Sequence, residues 1–367
     1  MSRWTARRAQ DWWSKQPWIC GFNFLPSSAV NFLQMWQADT FDKETIAREL
    51  RWAGRIGFNA VRTNLHPLVW ENDRDGLAER VDWLMDAAAD NGMRVVPCLF
   101  DDCGFGGMEP APGPQSAPVL GVHNSRAVAS PGRARVMDRD GWPVLEAFVT
   151  DVVTTFARDE RVLFWDLYNE PGNRMIFGPD GFSQYDAALD AHALALMRAT
   201  FRWARAAGPD QPVTVGAWTT TTPGSADAPY RTDIDRRAIE LSDIVTFHAY
   251  LDTPLVAAII DTLSAGGRPV LCTEWMARPT GSTIADQLPL FRDRGIGCFQ
   301  WGLVRGATQT HLPWPEALVR RHGGHADRSV WFHDLLHPDG APYDEAEVQT
   351  IAALIGAASR NMQSGGR

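Results

Sequence analysis

The sequence contains no block of lysine and arginine, the electrostatic mark of proteins that bind nucleic acid. Its formal net charge is -9, and this acidic balance predicts no nucleic-acid partner and favours a neutral substrate. No hydrophobic run is long enough to cross a bilayer, and residues 1–16 lack the apolar core of a signal peptide. We therefore expect no membrane partner and a cytoplasmic location.

Cysteine is also scarce. The chain has five, an odd number, and none shows the CxxC spacing of a zinc site. Most stand in apolar, strand-like runs, so we expect reduced thiols in the core rather than a disulfide framework. Because no repeat and no linker interrupts the sequence, we expect one catalytic domain over residues 1–363, including an N-terminal helical lead-in. Residues 364–367 are predicted to form a disordered tail.

What the sequence does contain is a series of eight short apolar runs separated by longer, partly amphipathic segments. This alternation is typical of βα units and a parallel sheet. The runs cover residues 19–24, 60–65, 94–100, 163–168, 212–217, 244–248, 269–273 and 298–303. Eight such strands favour a closed (β/α)8 TIM barrel of the α/β class over an open doubly wound sheet, which usually has fewer strands and carries a GxGxxG turn after the first.

The helical segments have recognisable ends, and two connections are unusually long. Residues 42–56 begin with Asp42 as a candidate cap and end before Gly57, as amphipathic helices commonly do. Long loops rich in proline and glycine follow the third and eighth runs, at 101–143 and 304–325. Loops after strand ends occupy the catalytic face of such barrels, so both are expected to shape a cleft.

Two glutamates stand where barrel enzymes carry their chemistry. Glu170, in WDLYNEP, follows the fourth run, and Glu274, in VLCTEW, follows the seventh. A lone glutamate after a strand is more often a helix cap or a solvated residue, but glycoside hydrolysis requires such a pair. The 16 tryptophans supply flat faces on which sugar rings stack, although about half are expected to pack in the core.

The order of these motifs resembles that of family 5 glycoside hydrolases, a family of retaining barrel enzymes. The resemblance rests on NEP at 169–171, HAY at 248–250, TEW at 273–275 and Trp301. It extends over nearly the whole chain, from GFNF to QWGL. It implies a carbohydrate substrate, namely a β-linked oligo- or polysaccharide of glucan, mannan or xylan type, and it implies no cofactor and no metal.

Carried over residue by residue, the resemblance makes Glu170 the acid/base and Glu274 the nucleophile. Arg62 and Tyr250 would keep Glu274 ionised, and the negative neighbour would raise the pKa of Glu170. The alternative for Arg62 is a structural ion pair. A retaining pair predicts carboxyl groups roughly 5 to 5.5 Å apart.

The remaining roles implied by the resemblance concern the sugar. Asn169 would bind its 2-hydroxyl, His248 would lie near the acid/base, and Trp301 would form a platform beneath the ring. A histidine satisfied within the core is the alternative for His248. Many members place a histidine after the third strand, whereas this chain has Asp101 and Asp102 there, so one of these carboxylates is expected to replace it.

A wider set of residues is predicted to reach substrate, each with core or loop packing as the alternative. The cluster 331–334 is instead expected to pack the last helix against the barrel. The wider set consists of His66, Trp36, His123, Asn124, His311 and Trp314.

Two other functions remain open from the sequence. One is a carbohydrate-binding barrel without catalysis, which would lack one of the two glutamates. The other is a metal-dependent barrel hydrolase, which would place His-x-His on the first strand, where Phe22, Asn23 and Phe24 stand instead. The sugar, exo or endo action and the oligomeric state are not defined by the sequence.

Overall fold

A computed structural model describes residues 2–225 and 227–364, with side chains as far as residue 356. Of the predicted disordered tail, Ser364 is the last residue of a helix, and residues 365–367 lie outside the described residues. The strands are β1 (Cys20–Asn23), β2 (Ala60–Asn64), β3 (Arg94–Cys98), β4 (Trp165–Asp166), β5 (Met175–Gly178), β6 (Gly181–Gln184), β7 (Val213–Thr214), β8 (Val245–His248), β9 (Val270–Trp275) and β10 (Gly297–Trp301).

Eight of these strands form one parallel sheet in the order β7-β4-β3-β2-β1-β10-β9-β8. A parallel bridge between Ala217 and Phe247 joins its two edges, so the sheet closes on itself. Each of the eight predicted apolar runs overlaps one of these strands. The predicted (β/α)8 barrel is confirmed.

Helices connect the strands and cover the outside of the barrel. Asp42 caps one of them by accepting a hydrogen bond from the Thr45 amide, and Gly57 ends it at φ 112°, as the sequence predicts. The helices are α1 (Ala6–Trp13), α2 (Phe32–Trp36), α3 (Lys43–Ile56), α4 (Pro67–Asn72), α5 (Arg74–Ala89), α6 (Arg133–Met137), α7 (Trp142–Thr155), α8 (Asp190–Ala207), α9 (Asp233–Leu241), α10 (Thr253–Ser264), α11 (Ile284–Asp293), α12 (Glu316–Arg321) and α13 (Glu345–Ser364).

The N-terminal helical lead-in closes the amino end of the barrel. Trp4 is buried there against residues from the starts of the strands, including Ile19 and Phe299, and Trp12 and Trp13 pack on the same cluster. The amino end of the barrel is thereby filled with apolar side chains. Among the described residues, no helix combines the length and apolar character that spanning a membrane requires.

The hairpin formed by β5 and β6 was not predicted. Its turn reads Gly-Pro-Asp-Gly at 178–181, a sequence typical of tight turns, but both arms are too short and mixed to stand out as strands. Phe177 of the hairpin stacks on Phe105 of the long loop after β3, with 4.4 Å between ring centroids. The hairpin therefore supports that loop over the carboxyl end of the barrel.

Candidate active site

The carboxyl ends of the strands surround a cavity of about 410 Å³, a size typical of small-molecule sites. Glu170 lies after β4 and Glu274 lies within β9, and both line this cavity. Glu274 is thus a residue of the strand rather than of the connection that follows it. Both side chains are buried, so their charges depend on the groups that contact them.

Glu274 has a strong donor on each carboxylate oxygen. Arg62 donates from Nη1 to Oε1 at 2.9 Å, and the Tyr250 hydroxyl donates to Oε2 at 2.9 Å. A charge-assisted hydrogen bond and a neutral one both favour the ionised form. The structure therefore brings Arg62 and Tyr250 into contact with Glu274, as the sequence predicts.

Arg62 is also the centre of a wider polar network in the barrel. Its guanidinium donates to the carboxylate of Asp166 at 2.9 Å, to Oδ1 of Asn23 at 2.6 Å and to Oδ1 of Asn169 at 2.6 Å. Arg62 therefore has both of the roles that the sequence left open. It forms a structural ion pair with Asp166, and the same buried side chain contacts Glu274. Removing either partner of such a buried pair is strongly destabilising.

Glu170 occupies a strained turn and has three side-chain partners. Its φ is 41°, a left-handed conformation that costs about 1 to 3 kcal/mol for residues other than glycine. Oε1 lies 2.9 Å from Nδ1 of His248. Oε2 accepts a hydrogen bond from Nδ2 of Asn173 at 2.7 Å and faces the Cys103 thiol at 3.1 Å. These contacts orient both oxygens of the carboxylate.

Sequence reasoning missed Cys103 and Asn173. Asn173 closes the turn that begins at Glu170, and asparagine in a turn immediately after a strand end is a usable signal. Cys103 differs from the other four cysteines because it follows two aspartates instead of standing in an apolar run. All five cysteines are buried, and none forms a disulfide.

The pKa directions in the free site differ from the sequence prediction for Glu170. Burial opposes its ionisation, but the hydrogen bond and positive charge of His248 dominate and lower the pKa of Glu170. Burial, with the charge of Glu170, raises the pKa of Glu274. Against its own burial, the carboxylate charges raise the pKa of His248. The directions of these shifts favour the proton on His248, whose Nδ1 lies 2.9 Å from Glu170.

One carboxylate oxygen of Glu170, one of Glu274 and a ring nitrogen of His248 lie within 4.8 Å of one another. Such a cluster has the donor types of a divalent-metal site. Here Arg62 places a fixed positive charge 2.9 Å from Glu274, which repels a cation and occupies the carboxylate. The arrangement fits a pair of carboxylates acting on a neutral substrate better than a metal centre.

Five of the outer candidates line the cavity. Asp101 is held rigidly, because its oxygens accept hydrogen bonds from Asn64, from Asn169 and from the Cys103 amide. Through the second of these it orients Asn169 beside the acid/base candidate. The five residues are Asp101, Trp301, His123, Asn124 and Trp314.

Trp36 and His66 lie elsewhere. Trp36 is fully buried and stacks on Phe41 with 5.8 Å between centroids, so it packs the core and offers no sugar platform. Nδ1 of His66 accepts from the Leu68 amide and caps α4, and its Nε2 faces the Ala129 carbonyl. With both ring nitrogens engaged and the ring buried, His66 does not reach the cavity.

Asp102 and His311 are also placed outside the cavity. Asp102 is buried beneath it and accepts hydrogen bonds from the Tyr168 hydroxyl and the Gly172 amide, which fixes the turn that carries Glu170. His311 packs on Trp331 at 5.6 Å. Asp101, and not Asp102, therefore stands where a carboxylate could face the sugar.

The cluster 331–334 connects the last helix with the cleft. Arg278 donates to three carbonyls within the cluster and forms an ion pair with Glu347 of α13. On the other side, Phe332 packs against Trp314 with 4.8 Å between centroids. The expected packing toward the last helix is present, and the cluster also supports one wall of the cavity.

Known structures with the same architecture come from several bacteria. Exo-β-1,4-mannosidase Op5Man5 from Opitutaceae bacterium strain TAV5 is 17% identical with a TM-score of 0.57, and the match covers 93% of this chain and 60% of that one. GH5_18 from Streptomyces cattleya, in complex with GlcNAc, is 14% identical with a TM-score of 0.61, covering 94% and 81%. At these identities the likeness concerns the fold.

Endo-1,4-β-D-mannanase from Thermotoga petrophila RKU-1 is 12% identical with a TM-score of 0.56, covering 93% of this chain and all of that one. Comparison with curated proteins gave no match. The family model for cellulase, glycosyl hydrolase family 5, matches residues 27–305, a segment that includes both glutamates and their supporting residues. The chain therefore belongs to glycosyl hydrolase family 5 and is a glycoside hydrolase of that family.

Proposed function

We propose that the protein is a retaining β-glycoside hydrolase acting on β-linked oligo- or polysaccharides, with Glu274 as nucleophile and Glu170 as acid/base. The observation that carries the proposal is the approach of the two carboxylates, with one oxygen of each within 4.8 Å. The carboxyl groups of retaining pairs lie about 5 to 5.5 Å apart and those of inverting pairs about 6.5 to 9.5 Å, to admit a water molecule, so individual oxygens within 4.8 Å of each other favour the retaining arrangement.

In the first step Glu274 attacks the anomeric carbon while Glu170 protonates the departing glycosidic oxygen. Arg62 and Tyr250 hold Glu274 in its ionised form, and the proton reaches Glu170 from His248 across their 2.9 Å contact. The products of this step are a glycosyl-enzyme ester and the free aglycone. Glu170 is left as a carboxylate beside the intermediate.

In the second step Glu170 accepts a proton from water, which attacks the anomeric carbon and displaces Glu274. Two inversions give net retention. Asn169, fixed by Arg62 and Asp101, is placed to bind the hydroxyl next to the anomeric carbon. Trp301 supplies a flat face on the wall of the same cavity.

The roles of the two glutamates are tested by azide rescue on aryl β-glycosides. With Glu274→Ala, azide should attack the substrate directly and give the α-glycosyl azide. With Glu170→Ala, azide should attack the glycosyl-enzyme and give the β-glycosyl azide. Glu79→Ala, a change of an exposed residue on α5, is the matched control and should retain activity. Rescue products of the opposite anomeric form, or full activity of either variant, would refute the assignment.

A further inference from the structure

The two long loops meet above the barrel and form a strap, defined here as residues 119–124 and 308–312. The Asn124 amide donates to the Thr308 carbonyl at 2.8 Å. Gln309 donates from Nε2 to the Val119 carbonyl at 2.7 Å and accepts from the Gly121 amide at 3.0 Å. The side-chain amide of Gln309, in the loop after β10, thus both donates to and accepts from backbone groups of the loop after β3.

Further contacts hold the strap in place. Nδ1 of His123 lies 2.7 Å from the Leu312 carbonyl, and burial lowers the pKa of His123 to about 4, so the imidazole is neutral and donates there. Next to the strap, Asn31 of the loop after β1 donates to the Arg126 carbonyl at 2.9 Å. The loop after β3, which carries residues 119–124 of the strap, is thus also tied to the loop after β1.

The position of the strap relative to the two glutamates decides what it blocks. Around the barrel, the strands between Glu170 and Glu274 form two arcs, one containing β3, β2, β1 and β10 and the other containing β7 and β8. The strap runs from the loop after β3 to the loop after β10, so it encloses the first arc. On the second arc, the segment from Thr219 to Thr222 lines the cavity and is partly exposed.

Trp301, the proposed platform beneath the sugar, lies within the enclosed arc together with two asparagines that line the cavity. Trp301 ends β10, Asn64 ends β2, and Asn124 of the strap lines the cavity. Oδ1 of Asn124 is buried and has no protein partner among the described residues, which leaves it as an acceptor at the closed end. A sugar bound here meets the strap at the point where a second glycone unit would continue.

We infer that the enzyme acts in the exo mode and removes one sugar at a time from the non-reducing end, with the strap closing the glycone side. This inference rests on the proposed function. The aglycone leaves over the second arc, past Thr219 to Thr222, so chains of different lengths fit on that side. The substrate class is therefore the non-reducing end of a β-linked chain, and internal bonds are excluded by the strap.

The first products show the mode directly. β-1,4-linked tetrasaccharides of glucose, mannose and xylose, fluorescently labelled at the reducing end, and aryl β-monoglycosides are incubated with the wild-type protein. We expect unlabelled monosaccharide and labelled trisaccharide as the only initial products. Labelled mono- or disaccharide from the outset would overturn the inference and leave the glycosidase function standing. No cleavage of any compound would overturn both.

The variant Gln309→Gly tests the strap itself. Glycine accepts the positive φ of this position, 57°, and the change removes all side-chain bonds to the first loop. We expect labelled disaccharide to appear among the initial products of this variant. Gln10→Ala is the control, because Gln10 also donates to a backbone carbonyl but lies on α1. An unchanged product pattern in a Gln309→Gly protein that unfolds like the control would exclude the strap as the block.

Discussion

Nδ1 of His248 lies 2.9 Å from Oε1 of Glu170, and the same atom lies 3.6 Å from Oε2 of Glu274. One imidazole proton therefore faces both carboxylates at the centre of the site. The three groups titrate together, so pH dependence reports the proton count of the cluster rather than of one residue. In the proposed mechanism the active form has one proton on the His248–Glu170 pair and none on Glu274.

The pH profile of kcat/KM should be bell-shaped. Both of its limbs should lie at higher pH than the ordinary pKa values of glutamate and histidine would give. Lowering the pH protonates Glu274, whose pKa is raised above 4.5, so the acid limb lies above that value. Raising the pH removes the proton of His248, whose pKa is raised above 6.5, so the basic limb lies above that value. His248→Asn should move the basic limb to lower pH, because Glu170 must then hold the proton alone. A basic limb that stays in place in this variant would contradict the assignment.

Tyr250→Phe should move the acid limb to higher pH. The variant removes the hydroxyl that donates to Glu274, and hydrogen bonds to charged groups are worth about 1.5 to 3 kcal/mol. We expect kcat/KM to fall by about 10- to 150-fold. The control is Tyr343→Phe, since Tyr343 stacks on Trp331 away from the cavity. If the acid limb had the same pKa in both variants, this would be inconsistent with a role for Tyr250 at Glu274.

Cys103 is expected to act as a positioning residue for Glu170. Burial and the neighbouring carboxylates raise the pKa of the thiol, so it remains protonated and can donate to Oε2. Cys103→Ala should shift the basic limb and lower kcat/KM several-fold, and Cys103→Ser should restore both, because a hydroxyl also donates. Cys20→Ala, which removes a buried thiol far from Glu170, should leave the pH profile unchanged. Failure of serine to rescue would point to a packing role alone.

The absence of a side chain at Gly216 provides space for the imidazole of His248. A Cβ atom at this position would lie 3.0 Å from Nε2 of His248 and 3.5 Å from the Thr273 hydroxyl. Gly216→Ala should therefore displace the imidazole and lower kcat with little change in the unfolding temperature. Gly178→Ala is the matched control, because a Cβ there has nothing within 4 Å. Equal kcat values for the two variants would show that the imidazole tolerates the added methyl group.

The contribution of Asp102 to the stability of the fold should decrease as the pH rises. Burial raises the pKa of Asp102 to about 7, well above the value of about 3.9 in an unfolded chain. The folded state then binds the proton more tightly, so its stabilising contribution is complete below about pH 4 and is lost as the pH rises through about 7. Urea unfolding of Asp102→Asn should show a smaller fall in the free energy of unfolding between pH 4 and 7 than the wild type. A slope equal to that of the wild type would argue against this shift.

The convergence of the inner residues on one cavity could be predicted from the sequence because the carboxyl ends of the strands meet there. Once eight strands are counted, Glu170, Glu274 and Arg62 must face one space at the carboxyl end of the barrel, whatever the loops do. Trp36 and His66 could not be placed in this way, because a residue beyond the end of a strand points toward the cavity or the core according to tertiary packing. Trp36 stacks on Phe41 and turns inward.

Two further features, the contact of Cys103 with Glu170 and the direction of the Glu170 pKa shift, could not be predicted because they also depend on tertiary packing. Cys103 contacts Glu170 only because the long loop after β3 folds back across the turn after β4, a path that no local pattern records. The pKa of Glu170 was predicted in the wrong direction because the distance of His248 was unknown. A charged donor at 2.9 Å outweighs a like-charged neighbour and burial together.

The position of Arg62 also has a consequence for folding. Its guanidinium contacts Asn23 on β1, Asp166 on β4 and Glu274 on β9, strands that are far apart along the chain. These contacts have long loop-closure distances and are expected late in assembly. A partly folded barrel would lack the positive charge of Arg62 beside Glu274, so recovery of activity after dilution from denaturant should coincide with the final cooperative step of refolding.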